Sequence, residues 1–281
     1  MLKTRIITAV VLLAVFFSAL FGLSPLAWLV FATLVAAVAA WEWGALMAWS
    51  GSARVALGGA LALVSAALAM WAPAALGLAG ELNVHADAAW SLGRFFYVPA
   101  AVLWLVVVPL WMRLRWPLPR GAVGVAVGAL VLLPTWLALV QLRAVGAAAL
   151  VAVMAVAWIA DTGAYFVGRA FGRHKLAPSI SPGKTWEGAV GGGAAVLAYG
   201  FALAPKLPPV LGARPGLLAL LIVAVTLMSV VGDLFESLLK RQAGLKDSSH
   251  VLPGHGGVLD RIDSLTSILP LSALIWLSVL N

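Results

Sequence analysis

Apolar residues run along this chain in long stretches separated by short polar segments. A helix needs about 20 apolar residues, at about 1.5 Å each, to cross a bilayer. Nine stretches are candidates, the last short but apolar, at roughly 5–23, 25–48, 55–79, 95–112, 121–142, 145–168, 187–205, 215–238 and 265–280. The pattern predicts an all-α integral membrane protein with about nine transmembrane helices. The first stretch follows Lys3 and Arg5, as a secretory signal would, but a second apolar stretch follows at once and favours a retained span.

Composition supports the bilayer as solvent. Hydrophobic residues make up 63% of the chain and charged residues 10%, against about a quarter charged in a soluble domain. Mean hydropathy is +1.06. The absence of cysteine excludes a disulfide framework, a thiol nucleophile and a Cys-ligated zinc or iron–sulfur centre. The net charge of +8 is read as a positive-inside bias rather than as nucleic-acid binding. With the N-terminus in the cytosol, fourteen Lys and Arg fall on the cytosolic side. Only Arg94, Arg143, Lys206 and Arg214 fall on the other side, where nine spans also place the C-terminal Asn281.

Acidic residues divide the chain. Residues 1–143, with Glu42, Glu81 and Asp87, read as transmembrane scaffold; Glu42, between Trp41 and Trp43, is expected near an interface. Residues 144–281 carry the other seven acids, all at the expected cytosolic face, and read as the catalytic region. Asp161 lies inside an apolar helix, where an unpaired carboxylate costs about 2.5–3.5 kcal/mol. It is expected either to pair with an arginine or to face a polar cavity. The run Ser181-Pro-Gly-Lys184-Thr185-Trp-Glu187 suggests a phosphate loop, but Pro178 stands where the Walker A glycine belongs. What remains is a Ser/Thr/Lys segment at a helix N-terminus, which suits a phosphate. Asp233, Glu236, Ser237 and Lys240 are spaced to share one helical face, with Lys240 at its aqueous end. The segment from Arg241 to Asp263 adds Lys246, a glycine-rich turn around His255, and the run Asp260-Arg261-Ile-Asp263. Carboxylates from separate elements, surrounded by Lys and Arg, suit hard-cation and phosphate chemistry.

The stretch from Ser237 through Lys240-Arg241, Lys246-Asp247 and Pro253-Gly-His255-Gly-Gly to Asp260-Arg261-Ile-Asp263 resembles the signature of the phosphatidate cytidylyltransferase (CDP-diacylglycerol synthase) family. Asp161-Thr-Gly-Ala-Tyr165, the segment from Ser181 to Gly188, and Gly232-Asp233 through Ser237 are similar to other family segments. The resemblance covers roughly 158–264 and departs at Ser249, where many relatives carry glycine. It implies reaction of CTP with phosphatidate to give CDP-diacylglycerol and pyrophosphate in a bacterial cytoplasmic membrane, and a homodimer among membrane lipids. It further implies Mg2+ held by Asp233 and Asp260, and room for a second cation. Asp161, Lys240, Arg261 and Asp263 join the catalytic set. Ser181, Lys184, Thr185, Glu187, Lys240, Arg241, Lys246 and His255 are the candidates for nucleotide contacts. A lipid-alcohol kinase or an ether-lipid cytidylyltransferase shares this chemistry. An ion-coupled transporter fits less well, because the carboxylates gather at one face rather than at the midplane.

Overall fold

A computed structural model describes residues 2–79 and 87–280; Glu81, His85 and Asn281 lie outside the described residues. The chain runs α1 (Leu2–Gly22), α2 (Pro25–Leu46), α3 (Gly51–Trp71), α4 (Asp87–Val102), α5 (Val108–Leu114), α6 (Ala122–Val145) and α7 (Ala147–Phe171). A hairpin of β1 (Lys175–Ala177) and β2 (Ser181–Thr185) follows. The chain then continues through α8 (Trp186–Leu203), a single turn α9 (Pro209–Gly212), α10 (Pro215–Gln242) and α11 (Leu259–Leu280). A π-helical segment, Leu103–Val107, joins α4 to α5 into one rod. Among the described residues, eight helical segments are long and apolar enough to cross a membrane. The ninth predicted span is α11, which starts at Leu259 rather than near 265. The apolar run begins only after the last charge, whereas Asp260, Arg261 and Asp263 form the polar first turns of the same helix.

Helix starts follow local chemistry. The Ser24 and Ser50 hydroxyls accept from the N–H groups of Ala27 and Ala53, satisfying donors that a helix start leaves free. Pro25 occupies the first turn of α2, where its missing N–H costs nothing. One apolar core runs through both halves of the chain, joining Trp28, Trp43, Trp104 and Trp136 to Phe235, Ile268 and Leu277. Tryptophan N–H groups inside it find carbonyls: Trp28 donates to Leu139 and Trp43 to Gly124.

Interhelical contacts gather the helix ends that the charge pattern assigned to one side. Thr8 donates to the Pro253 carbonyl, Trp49 to that of Arg120, Arg115 to Ser179, and Gln242 to the carbonyl of Trp116. At the other end of the bundle, Arg143 reaches the carbonyls of Leu20 and Leu23, and Gln141 that of Ala75.

Candidate active site

The α7–α8 pair is built for close approach. A Cβ at Gly188 would lie 2.8 Å from the Ala164 carbonyl oxygen, and one at Gly192 would lie 2.5 Å from that of Ala160. Small residues let two membrane helices touch backbone to backbone. Beside this contact lies a cavity of about 440 Å³, with Asp161, Lys184, Thr185, Gly188, Gly192 and Val230 among its walls. Asp161 therefore lines a cavity, one of the two outcomes its position allowed.

The segment expected as a free helix N-terminus is instead a short antiparallel hairpin, with Lys175 opposite Thr185 and Ala177 opposite Ser181. Several of the donors expected to be free for phosphate are occupied. The Thr185 hydroxyl accepts from Gly188 N–H at 3.1 Å, and Trp186 N–H donates to the His174 carbonyl at 2.9 Å. Glu187 accepts from the His174 backbone N–H and meets His174 Nδ1 at 2.6 Å, so it ties the hairpin to the start of α8. Ser181 is half-buried on β2. Lys184, also on β2, leaves the strand to form an ion pair with Asp233 of α10.

Two linked polar groups lie around α10. In the first, Asp233 pairs with Lys184 and accepts from Ser237 Oγ at 3.2 Å. Asp161 lies within electrostatic reach of Asp233, Lys184 and Arg261, and Asp263 within reach of Asp233 and Asp161. The α10–α11 crossing at Gly232 explains part of this. A Cβ there would lie 2.7 Å from Ser267 Oγ and 2.8 Å from the Asp263 carbonyl oxygen. In the second group, Lys240 Nζ meets Asp260 Oδ1 at 2.5 Å and Glu236 Oε2 at 3.2 Å. Its side chain is only 11% exposed. The shared face of Asp233, Glu236, Ser237 and Lys240 is present, but the Lys240 ammonium is not at its aqueous end. The ammonium is turned inward by two carboxylates too buried for water to solvate them.

Asp260 carries more bonds than its expected role requires. Its Oδ2 accepts from the backbone N–H groups of Ser248 and Gly257 and from Ser248 Oγ, all within 2.9 Å. Asp233 and Asp260 thus sit in separate ion pairs. Among the described residues no three of His, Asp and Glu converge as a ready-made metal site. Arg241, Lys246 and Arg261 are exposed. His255 is half-buried in the turn, and its Nδ1 has no partner in the structure.

Sequence reading missed Glu42. Its carboxylate is fully buried and accepts from Ser248 Oγ, Ser249 Oγ and the backbone N–H groups of Val258 and Leu259. The available signal was a lone carboxylate in an apolar span, which demands a partner, but nothing local names that partner.

Comparison with known proteins agrees along the whole chain. Residues 3–279 match the model of the cytidylyltransferase family. A phosphatidate cytidylyltransferase of Pseudomonas aeruginosa is 43% identical over 98% of this chain and 97% of its own length. Proteins of the same name from Haemophilus influenzae and Bacillus subtilis are 51% and 48% identical over 46% and 41% of this chain, covering 45% and 42% of their own. The chain is a member of the cytidylyltransferase family.

Proposed function

We propose that this membrane protein transfers the cytidylyl group of CTP to phosphatidate, releasing pyrophosphate and leaving CDP-diacylglycerol in the bilayer. The observation that carries this reading is the end-to-end similarity to a protein named for that activity. The site chemistry fits it. A phosphate oxygen of phosphatidate attacks the α-phosphorus of CTP, and the bond from that phosphorus to the β-phosphate oxygen breaks. The attacking oxygen is already anionic near pH 7, so no strong general base is needed. Lys184, at the cavity wall, and the exposed Arg241, Lys246 and Arg261 are suited to triphosphate and headgroup oxygens.

The residues also fit a divalent cation. Around the five carboxylates Asp161, Asp233, Glu236, Asp260 and Asp263, the basic groups within electrostatic reach are Lys184, Lys240 and Arg261, so acids outnumber bases. Magnesium is commonly held by one or two carboxylates together with substrate phosphates, so the lack of a three-residue cluster is no obstacle. Asp233 and Asp260 would hold it, with Asp161 and Asp263 in position for a second cation. When bound it supplies neutralisation of charge on the leaving pyrophosphate. Asp233 would hold the cation beside Lys184, whose ammonium is suited to a phosphate oxygen. Asp260 Oδ1 would have to leave Lys240 to reach the cation, since Oδ2 is held by three donors.

The direct test is to incubate the purified protein with phosphatidate, labelled CTP and magnesium. The expected result is a labelled lipid formed in step with pyrophosphate. Label in the lipid with release of CDP instead would indicate a kinase, and no label would remove the reading.

The site should face the cytosol of a bacterial inner membrane, where CTP is made. Single cysteines at Ser179, Val251 and Pro208 test this in a chain with no cysteine of its own. Val251 is 50% exposed, whereas the nearby Ser248 is buried and would resist any reagent. In intact cells, a membrane-impermeant thiol reagent should label only position 208. Labelling at 179 or 251 from outside would invert the topology.

A further inference from the structure

The carboxylate of Glu42 is buried against the segment between α10 and α11. It rises from α2, in the half without the candidate reacting groups, and ends inside the segment between α10 and α11. Its Oε1 accepts from Val258 N–H at 2.9 Å and from Ser249 Oγ at 2.6 Å. Its Oε2 accepts from Leu259 N–H at 2.6 Å and from Ser248 Oγ at 3.2 Å. The Leu259 N–H is the first of α11 and the Val258 N–H immediately precedes it, donors at a helix start that the helix itself cannot satisfy. Negative charge at that helix end is also favoured by the peptide dipoles.

The glycine-rich turn closes around the same carboxylate. A Cβ at Gly257 would lie 2.3 Å from Glu42 Oε1 and 2.1 Å from Ser248 Oγ. Gly256, at φ +81°, takes a left-handed backbone conformation, and a Cβ there would lie 2.6 Å from Asp260 Oδ2. Ser248 connects the two acids, its hydroxyl lying 3.2 Å from Glu42 Oε2 and 2.9 Å from Asp260 Oδ2. A continuous polar chain therefore runs Glu42, Ser248, Asp260, Lys240, Glu236.

We infer that Glu42 is a positioning residue for the transfer reaction: it fixes the turn at 248–258 and the start of α11, and thereby sets the orientation of Asp260. The inference rests on the proposed function for its catalytic readout. Glu42 is fully buried, three donors (Ser249 Oγ and the N–H groups of Val258 and Leu259) are committed to it, the single hydroxyl proton of Ser248 is shared between it and Asp260, and it lines no wall of the cavity beside Asp161. It therefore acts through Asp260 and the turn and touches neither substrate.

The test is Glu42→Gln in the full-length protein in detergent micelles. The shape is kept, but one carboxylate oxygen becomes an NH2 group facing a backbone N–H that cannot turn away. A hydrogen bond to a charged group is worth enough that losing it should slow the reaction by about ten-fold or more. The loss should fall on kcat, with KM for CTP and for phosphatidate near the parent's. Amide exchange should quicken across 248–260 and stay parental in α6, a readout that holds whatever reaction the protein catalyses. Ser249→Ala, which removes a single donor to Glu42 from a surface turn, should show the same changes in smaller size. Parental kcat and parental exchange in Glu42→Gln would overturn the inference. So would activity lost only in proportion to folded protein, with exchange raised throughout α6 and α10. If Glu42→Gln does not fold, Ser249→Ala decides on the same readouts. Failure of the proposed function would show separately, as a parent protein that makes no labelled lipid.

Discussion

Asp233→Asn is expected to lower turnover by at least about two orders of magnitude, the usual consequence of losing a group that stabilises developing charge. The substitution keeps the volume and the hydrogen bond from Ser237 and removes only the charge that meets Lys184. Asp161 and Asp263 both lie within electrostatic reach of Asp233, so its charge contributes to the field across the first polar group. Yield and detergent stability should stay close to the parent's, because the pair is part-exposed and such pairs contribute little to folding. Steady-state kinetics in mixed micelles, with CTP and surface phosphatidate varied independently, measures the effect. A double variant, Lys184→Met with Asp233→Asn, separates catalysis from mere neutralisation. If the pair only balances charge, removing both partners restores activity. If Asp233 works on the substrates, the double variant stays as slow as the worse single one.

Lys240→Ala is the second large effect, and it falls on stability. Removing the ammonium strands two carboxylates, with side chains 5% and 3% exposed, against one another and against the apolar core. Breaking a buried pair from one side costs about 3–5 kcal/mol, a large share of what holds a protein together. The variant should lose folded yield and unfold at a clearly lower temperature in detergent. Activity should fall with the loss of Asp260 orientation as well as with the folded fraction. Normal thermal stability with only a raised KM for CTP would show instead that the ammonium spends its time on the nucleotide.

The contrast between these two residues marks how far the sequence could be read. Membrane spans were legible because the bilayer requires only length and apolarity, which any run such as 121–142 displays by itself. The shared face of Asp233 and Lys240 was legible too, since helical spacing fixes it. Which way Lys240 turns was not, because its partner Asp260 belongs to a different helix, 20 residues on. The hairpin that carries Lys184 was hidden by its shortness and by Pro182 and Gly183, which read as loop. Glu42 was hidden most completely: its donors lie 206 to 217 residues further along the chain. Spacing encodes neighbours within an element; contacts between elements come from packing.

The cavity between α7 and α8 has a consequence for altering what the protein accepts. Ala160, Ala164, Gly168, Gly188, Ala189 and Gly192 form much of its wall, and at Gly188 and Gly192 the facing surface is a carbonyl of the opposite helix. A wall of large side chains can be enlarged by trimming them, as Tyr165, Arg169 and Leu176 elsewhere around this cavity allow. Along the seam of small residues there is little left to trim, so substitution there can only plug the space or wedge the two helices apart.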